Sequence, residues 1–230
     1  KQGSVKPMDQ RVHDVRPHPG QSLVATRIRN IMDGSKILES HKNCDQVQDA
    51  YSFRCIPQVH GAVNQRYNEL VETLTIEINS ATDNPLIFPD LANPGPHEVI
   101  SQGNFHGEVL ALCADSMSHA LFELAHISER RIDQMVDPAR SNLPAFLATD
   151  SGLESGMMIV HYVAAASLAE MHGHASPRSA FSTPTSGGQE DHVSMANHAA
   201  RKLRTVVHNT ERVLAIELHT ACQAREFHKD

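Results

Sequence analysis

Long stretches of this sequence repeat apolar residues at intervals of three or four positions, and the longest runs from Glu108 to Val136. Residues at that spacing lie on one face of an α-helix. The residues of this face are Val109, Leu112, Met117, Leu121, Leu124 and Ile127. The same pattern covers 57–79, and we predict further helices over 22–38, 155–171 and 190–224. Helices of this length favour a helix bundle.

The composition agrees with an all-α fold. Tryptophan is absent and aromatic residues make up only 4% of the 230 residues, which favours helices over packed sheets. The segment 83–104 is an exception, because two short β-prone pieces, Leu86–Phe88 and Val99–Ser101, flank its turn-rich middle. We therefore predict one all-α region, 1–230, built as a long-helix bundle with a small β-hairpin near 86–101.

Charge and apolar content exclude several classes of protein. The net charge is −7 and the 20 basic residues are scattered, so no basic patch predicts binding to nucleic acid. No run approaches the roughly 18 apolar residues that predict a membrane span, and residues 1–10 lack the apolar stretch of a secretory signal. The four cysteines form no C-x-x-C pair, and we expect reduced thiols. These features predict a cytoplasmic protein.

The segment TSGGQEDHVSM, residues 185–195, places two glycines directly before four polar side chains. One interpretation is a helix start, with Ser186 as N-cap, Gln189 completing a capping box and Glu190 favouring the helix dipole. The glycine pair does not agree with a helix start, because each glycine destabilises the start of a helix by about 1 kcal/mol relative to alanine. The other interpretation is functional: glycines allow a close approach to the backbone, and a partly desolvated Glu190 with a raised pKa would transfer protons. Taken alone, capping is the commoner explanation.

A second polar group lies in QVQDAYSFRCIPQ, residues 46–58. Tyr51 and Arg54 are three residues apart, on one side of a turn, and Pro57 opens the next helix. A guanidinium binds a carboxylate through two hydrogen bonds, and a nearby phenol can donate to the same ligand or move a proton. The alternative is a surface arginine beside a half-buried tyrosine.

Two more loops carry polar or aromatic side chains. In SQGNFHGE, residues 101–108, Phe105 and His106 stand between two glycines, where an aromatic ring can form the apolar wall of a pocket. The segment INSATDNPL, residues 78–86, ends a helix, and ordinary turn chemistry accounts for its Asp, Asn and Pro residues.

Sixteen histidines raise the question of a metal site. His119, Glu123 and His126 fall on one helix face, which is a possible set of ligands. However, the second Glu-x-x-His of a di-metal carboxylate bundle is missing, and His172 and His174 have no neighbouring cysteine or carboxylate cluster. We therefore predict no metal site. Nucleophile-elbow, P-loop and dinucleotide-binding motifs are also absent, which argues against hydrolase, NTPase and dinucleotide chemistry.

Several loop motifs in one order and at one set of spacings resemble the family of aromatic amino-acid ammonia-lyases and aminomutases, and within it the histidine ammonia-lyases. The motifs are VQDAYSFRCIPQVHGA, NSATDNPLIF, ISQGNFHGE, SERRI, LPAFL, SGLESGMMI and PTSGGQEDHVSMA. The resemblance extends from about Arg11 to about Ala224. It implies a long-helix bundle of the ammonia-lyase and fumarase–aspartase type.

The resemblance implies that residues 48–54 bind the substrate. Arg54 would bind its carboxylate, while Gln48 and Tyr51 would line the site and orient the substrate. Tyr51 would also belong to the catalytic residues.

The resemblance assigns the other site residues to three loops. Asn84 would hydrogen-bond near the family's prosthetic group, and Phe105 would pack against the substrate or that group. Glu190 would contact the substrate's amine or imidazole and take part in proton transfer, with Gln189 supporting it.

The family's prosthetic group, 4-methylidene-imidazol-5-one (MIO), forms by cyclisation of an internal Ala-Ser-Gly tripeptide. Serine precedes glycine here at Ser151, Ser155 and Ser186, and alanine precedes none of these serines. The sequence therefore does not encode the group. Because the resemblance covers only the middle and C-terminal regions of family members, we expect a fragment, a processed subunit or one partner of a split enzyme.

The resemblance also implies a substrate and an assembly. L-histidine would lose ammonia to give trans-urocanate, in a homotetramer or together with the Ala-Ser-Gly-bearing half. His106 and QEDHVSM favour histidine, but tyrosine or phenylalanine lyases and aminomutases remain alternatives, and 171–188 departs from the usual family spacing. A different class of function also remains open, namely a non-catalytic structural partner derived from a lyase.

Overall fold

The structure is a computed structural model that describes residues 3–40, 47–92 and 97–228. Nine α-helices and one two-stranded sheet lie within these ranges. The helices are α1 (Gln10–Asp14), α2 (Pro19–Met32), α3 (Lys36–Ser40), α4 (Tyr51–Arg54), α5 (Ile56–Glu77), α6 (Glu108–Val136), α7 (Pro138–Ser141), α8 (Met158–Gly173) and α9 (Ala196–Arg225). The all-α prediction is confirmed, and the bounds of α6 are those that the apolar spacing predicts.

The centre of the bundle is formed by α6, α8 and α9. Their apolar faces meet in one cluster made of Ala125, Ile132, Ala164, Met171, Val206, Val213 and Ile216. Polar contacts give the directions of the helices: Asp115 meets Lys202 and Arg131 meets Glu217, so α6 and α9 run parallel. His161 of α8 meets Glu129, while Ala175 just beyond α8 meets His119, so α8 runs antiparallel to α6.

Helix α5 lies against another side of α6 and runs in the opposite direction. His60, near the start of α5, faces Arg131, and Thr73, near its end, accepts a hydrogen bond from the Cys113 thiol. The turn α4 therefore lies beside the C-terminal half of α6, whereas the chain leaving α5 lies near its N-terminus. This arrangement decides where the functional loops are placed.

Helix α2 packs on α5 through two glycines. A Cβ atom on Gly20 would lie 2.2 Å from the carbonyl oxygen of Gly61, and a Cβ on Gly61 would lie 2.5 Å from the Gln21 backbone nitrogen. Contacts that short do not occur between real atoms, so only glycine allows the two backbones to approach in this way.

A buried ion pair joins α6 to α9 near their N-terminal halves. The Lys202 ammonium donates to the Asp115 carboxylate, and both side chains are almost fully buried. The carboxylate also accepts from the backbone N–H groups of Arg178 and Ser179, each at 2.7 Å, and from the Ser179 hydroxyl. Burial raises the pKa of Asp115, but the hydrogen bonds from Lys202 and Ser179 outweigh it and hold that pKa below its ordinary value. The pair thereby attaches the loop after α8 to the core.

The predicted hairpin is present. Strands β1 (Leu86–Phe88) and β2 (Glu98–Ile100) pair antiparallel, with Ile87 opposite Val99. The predicted turn between them lies partly outside the described residues.

Two helix predictions were wrong in part. The helix predicted over 22–38 is broken after Met32, because Gly34 adopts a left-handed φ of +70° that ends α2 before α3 begins. The last helix begins at Ala196 instead of Glu190, because the backbone of residues 185–193 is hydrogen-bonded within its own loop.

Two smaller findings concern membranes and thiols. Within the described ranges, no helix combines the length and apolar character that crossing a membrane requires. Cys55, Cys113 and Cys222 are free thiols, and Cys44 lies outside the described residues.

We expect Gly61→Ala to lower the free energy of unfolding by about 3 kcal/mol, because α2 and α5 must separate to admit the methyl group. Denaturant unfolding of the chain, followed by circular dichroism, measures this change. Gly173→Ala is the matched control, since that helical glycine has nothing within 4 Å of its Cβ position. Equal stability of the two variants would contradict the close α2–α5 contact.

Candidate active site

The first group of predicted site residues is the arginine group, defined as Gln48, Tyr51 and Arg54. As the spacing predicts, α4 places Tyr51 and Arg54 side by side, with the guanidinium carbon 5.0 Å from the centre of the phenol ring. The Arg54 Nε–H donates to the Asp49 carbonyl at 3.1 Å. Tyr51 and Gln48 are exposed and Arg54 is half-buried. The group is therefore open to a ligand.

Contacts of the neighbouring residues Phe53 and Asp49 hold the arginine group in place. Phe53, on the opposite side of α4, is buried with Met8 and Ala25. The Asp49 carboxylate accepts from the Ser4 backbone N–H at 2.8 Å. These contacts attach the turn to the N-terminal segment and to α2, so its exposed side faces away from the core.

The second group is the glutamate group, defined as Asn84, Phe105, Gln189 and Glu190. Glu190 does not begin a helix. Its carboxylate accepts from the Thr185 hydroxyl at 2.9 Å and from the Ser186 hydroxyl at 2.7 Å, and its carbonyl accepts from the Thr185 N–H. The prediction of a capping box is therefore wrong, because the Ser186 hydroxyl donates to the Glu190 carboxylate and does not cap a helix.

The hydroxyl groups around Glu190 also decide its ionisation. Hydrogen bonds from Ser186 and Thr185 lower the pKa of Glu190, since they stabilise the carboxylate more than the acid. The functional interpretation of the segment supposed a raised pKa through desolvation, and the structure gives the opposite direction. Glu190 is a carboxylate at neutral pH, which leaves it able to accept a proton or to bind a cation.

The glycine pair before Glu190 has a conformational reason. Gly187 and Gly188 have φ values of +67° and +89°, and nothing lies within 4 Å of either Cβ position. Within the described residues no neighbouring group lies close to them, so the close approach of a ligand to this backbone stays a prediction. They are needed because the turn that closes Thr185 onto Glu190 passes through the left-handed region.

Asn84 is tied to the loop that carries Phe105. Its side-chain oxygen accepts from the Gln102 N–H at 2.9 Å, and the Gln102 side chain donates to the Asp83 carbonyl at 2.6 Å. Phe105 follows three residues later with 49% of its surface exposed. The ring is therefore not part of the apolar core, and its role as the wall of a pocket stays a prediction.

A pair of histidines connects the Phe105 loop to the Glu190 loop. His106 Nε2 lies 3.2 Å from His192 Nδ1, and the two rings stack with centroids 5.3 Å apart. Gly107 allows the two loops to approach each other, because a Cβ atom at this position would lie only 3.0 Å from the Ala196 side chain. His192 was not among the predicted site residues; its position directly after Glu190 and Asp191 was the available signal.

The arginine and glutamate groups lie at opposite ends of the bundle. The arginine group is beside Arg131, whose guanidinium contacts the Ser52 carbonyl, whereas Phe105 precedes the first residue of α6. From Glu108 to Arg131 the helix rises about 35 Å. One copy of this chain therefore does not bring all seven predicted residues into one site.

The possible metal ligands do not converge. Among the described residues, no three His, Cys, Asp or Glu side chains are arranged to hold a metal ion. His119 Nε2 lies 2.6 Å from the Ala175 carbonyl instead, and this contact holds the loop after α8.

The chain is similar to the proteins of one family, both in sequence and in structure. The family model "Aromatic amino acid lyase" matches residues 1–230. The histidine ammonia-lyase of Legionella pneumophila (strain Paris) is 47% identical over 227 residues, which cover 99% of this chain and 44% of that protein. The crystal structure of histidine ammonia-lyase from Trypanosoma cruzi is 46% identical, with a TM-score of 0.86, over 97% of this chain and 41% of its own.

A further solved structure broadens the comparison. The phenylalanine aminomutase of Pantoea agglomerans is 34% identical, with a TM-score of 0.88, over 98% of this chain and 46% of its own. This chain thus spans less than half the length of the relatives named here.

We expect the combined change Thr185→Val and Ser186→Ala to raise the pKa of Glu190, because both hydroxyl donors are removed. A ¹³C NMR titration of the glutamate carboxyl groups measures the change. Ser182→Ala is the control, since the Ser182 hydroxyl accepts from the Val193 N–H in the same loop and makes no hydrogen bond to Glu190. An unchanged pKa in the double variant would show that these hydroxyls do not determine the ionisation.

Proposed function

The chain belongs to the aromatic amino acid lyase family, and from this premise we propose that it forms the middle and C-terminal part of a histidine ammonia-lyase. Such an enzyme eliminates ammonia from L-histidine to give trans-urocanate. The observation that carries the proposal is the pair of exposed polar groups. One is a guanidinium beside a phenol, and the other is an ionised carboxylate in a loop that the contact between His106 and His192 joins to the loop of the exposed Phe105 ring. The names of the relatives at 46–47% identity support histidine as the substrate.

The arginine group suits the α-carboxylate of an amino acid. In our proposal Arg54 binds that carboxylate through its Nη groups, since its Nε–H already donates to the Asp49 carbonyl. The exposed Tyr51 phenol and the Gln48 amide line the same face and orient the substrate. The Tyr51 hydroxyl is also placed to donate or accept a proton.

The glutamate group suits the other end of the substrate. Elimination removes a weakly acidic β-proton and expels a poor leaving group, so a positioned base is needed. Glu190 is ionised at neutral pH and is the carboxylate that contacts the substrate's amine or imidazole. Gln189 supports it, and Phe105 supplies the apolar wall against the substrate ring.

The chain contains residues that fit the family's prosthetic group, MIO, although no Ala-Ser-Gly occurs in it. The Asn84 oxygen is engaged by the Gln102 N–H, so the amide NH₂ is left to donate to a carbonyl oxygen such as that of an imidazolone. When bound, MIO supplies the electrophile that activates the substrate for loss of ammonia. In our proposal it comes from an Ala-Ser-Gly segment outside this sequence.

We further propose that several copies of the chain assemble and complete each other's sites. The separation of about 35 Å along α6 supports this, because the arginine group of one copy must meet the glutamate group of another. Apolar side chains along the second half of α5 and directly after it are exposed and would be covered on assembly. They include Tyr67, Val71, Leu74, Ile76 and Ile78.

The substrate is tested with the enzyme reconstituted from this chain and an Ala-Ser-Gly-bearing half. We expect L-histidine to produce the absorbance of urocanate in the mixture and not with the chain alone. Product from tyrosine or phenylalanine instead would replace the proposed substrate with the alternative one. A folded mixture without product from any of the three amino acids would favour the non-catalytic structural partner.

Sharing of sites is tested by complementation between two inactive variants of the reconstituted enzyme. Arg54→Ala and Glu190→Ala should each abolish most turnover. If the two groups come from different copies, random mixing restores both to about a quarter of the sites, since each group is intact with a probability of one half. Mixed assemblies that stay as inactive as the parents would contradict site sharing.

A further inference from the structure

We propose that Arg131 and Glu217 are positioning residues for the substrate-carboxylate site: together they hold the turn α4 so that Tyr51 and Arg54 face the ligand. Neither side chain touches the substrate in this proposal. The inference rests on the proposed function, because the role of Arg54 belongs to it. It goes further by assigning a task to a residue on α9, far away in the sequence.

Arg131 is held rigidly by Glu217. Its Nε–H and Nη2–H groups both donate to the Glu217 carboxylate, the second at 2.8 Å. The two hydrogen bonds form a bidentate ion pair between α6 and α9. The Ser128 hydroxyl donates to the same carboxylate at 2.5 Å. Arg131 is only 8% exposed. A buried guanidinium fixed at two nitrogens has little freedom, so its remaining nitrogen has a defined position.

That remaining nitrogen points at α4. Arg131 Nη1 donates to the Ser52 carbonyl at 3.4 Å. Ser52 lies directly between Tyr51 and Phe53, in a helix of only four residues. Because α4 is a single turn, holding this carbonyl restrains the orientation of the Tyr51 and Arg54 side chains as well.

His60 also contacts the Arg131 guanidinium, and it does so as a neutral imidazole that does not repel the positive charge. Its Nε2 lies 3.4 Å from Arg131 Nη1. Burial, and next the positive charge of Arg131, lower the pKa of His60 to about 4. The imidazole is therefore neutral at neutral pH, and its Nε2 accepts from Arg131 instead of repelling it.

The turn depends on such outside contacts because it has little stability of its own. Its N-cap, Ala50, provides no side-chain hydrogen bond, and an isolated turn of four residues is far below the length at which helices are stable. Its anchors include its continuation through Cys55 into α5, the burial of Phe53, the Asp49 contact with Ser4, and the Arg131 hydrogen bond. Of these, only the Arg131 bond comes from the central helices α6 and α9.

The experiment compares Arg131→Lys and Glu217→Gln in the reconstituted enzyme. We expect KM for histidine to rise about tenfold with a smaller change in kcat, because Arg54 binds the carboxylate in the ground state and in the transition state alike. Lysine keeps the charge but lacks the planar fork, so it cannot serve the carboxylate and the Ser52 carbonyl together. A KM equal to that of the unchanged enzyme would overturn the proposal.

A variant cycle with Tyr51→Phe and Arg54→Lys separates positioning from general stability. If Arg131 acts through these two side chains of α4, adding Arg131→Lys to a variant that carries both Tyr51→Phe and Arg54→Lys should lower kcat/KM little further. Fully multiplicative losses would mean that Arg131 acts independently of Tyr51 and Arg54, and the proposal would fail.

A second readout needs no activity, so it distinguishes failure of this inference from failure of the proposed function. The chain has three tyrosines, Tyr51, Tyr67 and Tyr162, and fluorotyrosine labelling gives each its own ¹⁹F resonance. We expect Arg131→Lys and Glu217→Gln to shift the Tyr51 resonance and to leave Tyr67 and Tyr162 unchanged. An unmoved Tyr51 resonance would overturn the inference even if the enzyme is active.

Asp115→Asn is the matched control for Glu217→Gln. Both changes turn a carboxylate into an amide within an ion pair between α6 and α9, but Asp115 contacts the loop at 178–179 and not α4. The control should lower stability without moving the Tyr51 resonance. A shift of that resonance in the control as well would mean that loss of core stability alone disturbs α4, and it would overturn the proposal.

Discussion

The parallel packing of α6 against α9 is the contact on which the rest of the chain depends. Its apolar centre is shared with α8, and each end carries an ion pair, Asp115 with Lys202 and Arg131 with Glu217. Burying charges costs desolvation energy that an apolar contact does not. Here the buried charges also bind backbone outside the two helices: one pair holds the loop after α8, and the other reaches the carbonyl of Ser52. The core thus orients the loops on which function is proposed to depend.

The same long helices keep the two candidate groups apart. A helix is stiff over the length of α6, so the distance between the arginine group and the glutamate group does not close by local motion. In the proposed assembly a second copy would bring its own end of the bundle to the site. The exposed apolar side chains on α5 agree with the proposed assembly, since their burial would stabilise it.

Apolar spacing predicted α6 at both ends and the existence of α5 and α8, and β-prone pieces around a turn predicted the hairpin, because these elements depend on patterns local in the sequence. It failed where the backbone follows side-chain or glycine preferences. Gly34 divides one predicted helix, and residues 185–193 form a closed loop in which hydroxyl groups donate to Glu190 instead of capping a helix. The lowered pKa of Glu190 follows from that loop, and a linear pattern does not show which hydroxyls will face a carboxylate.

By itself, the sequence determined the helical class, the family and the seven residues proposed for the site, because these depend on residue identity, spacing and motif order. Only the tertiary structure decided that four of these residues lie at one end of the bundle and three at the other. It also decided that His106 meets His192 and that Glu217 reaches α4 through Arg131. The physical reason is that these contacts join residues 79 to 86 positions apart, and their meeting depends on helix lengths and directions that no short motif contains.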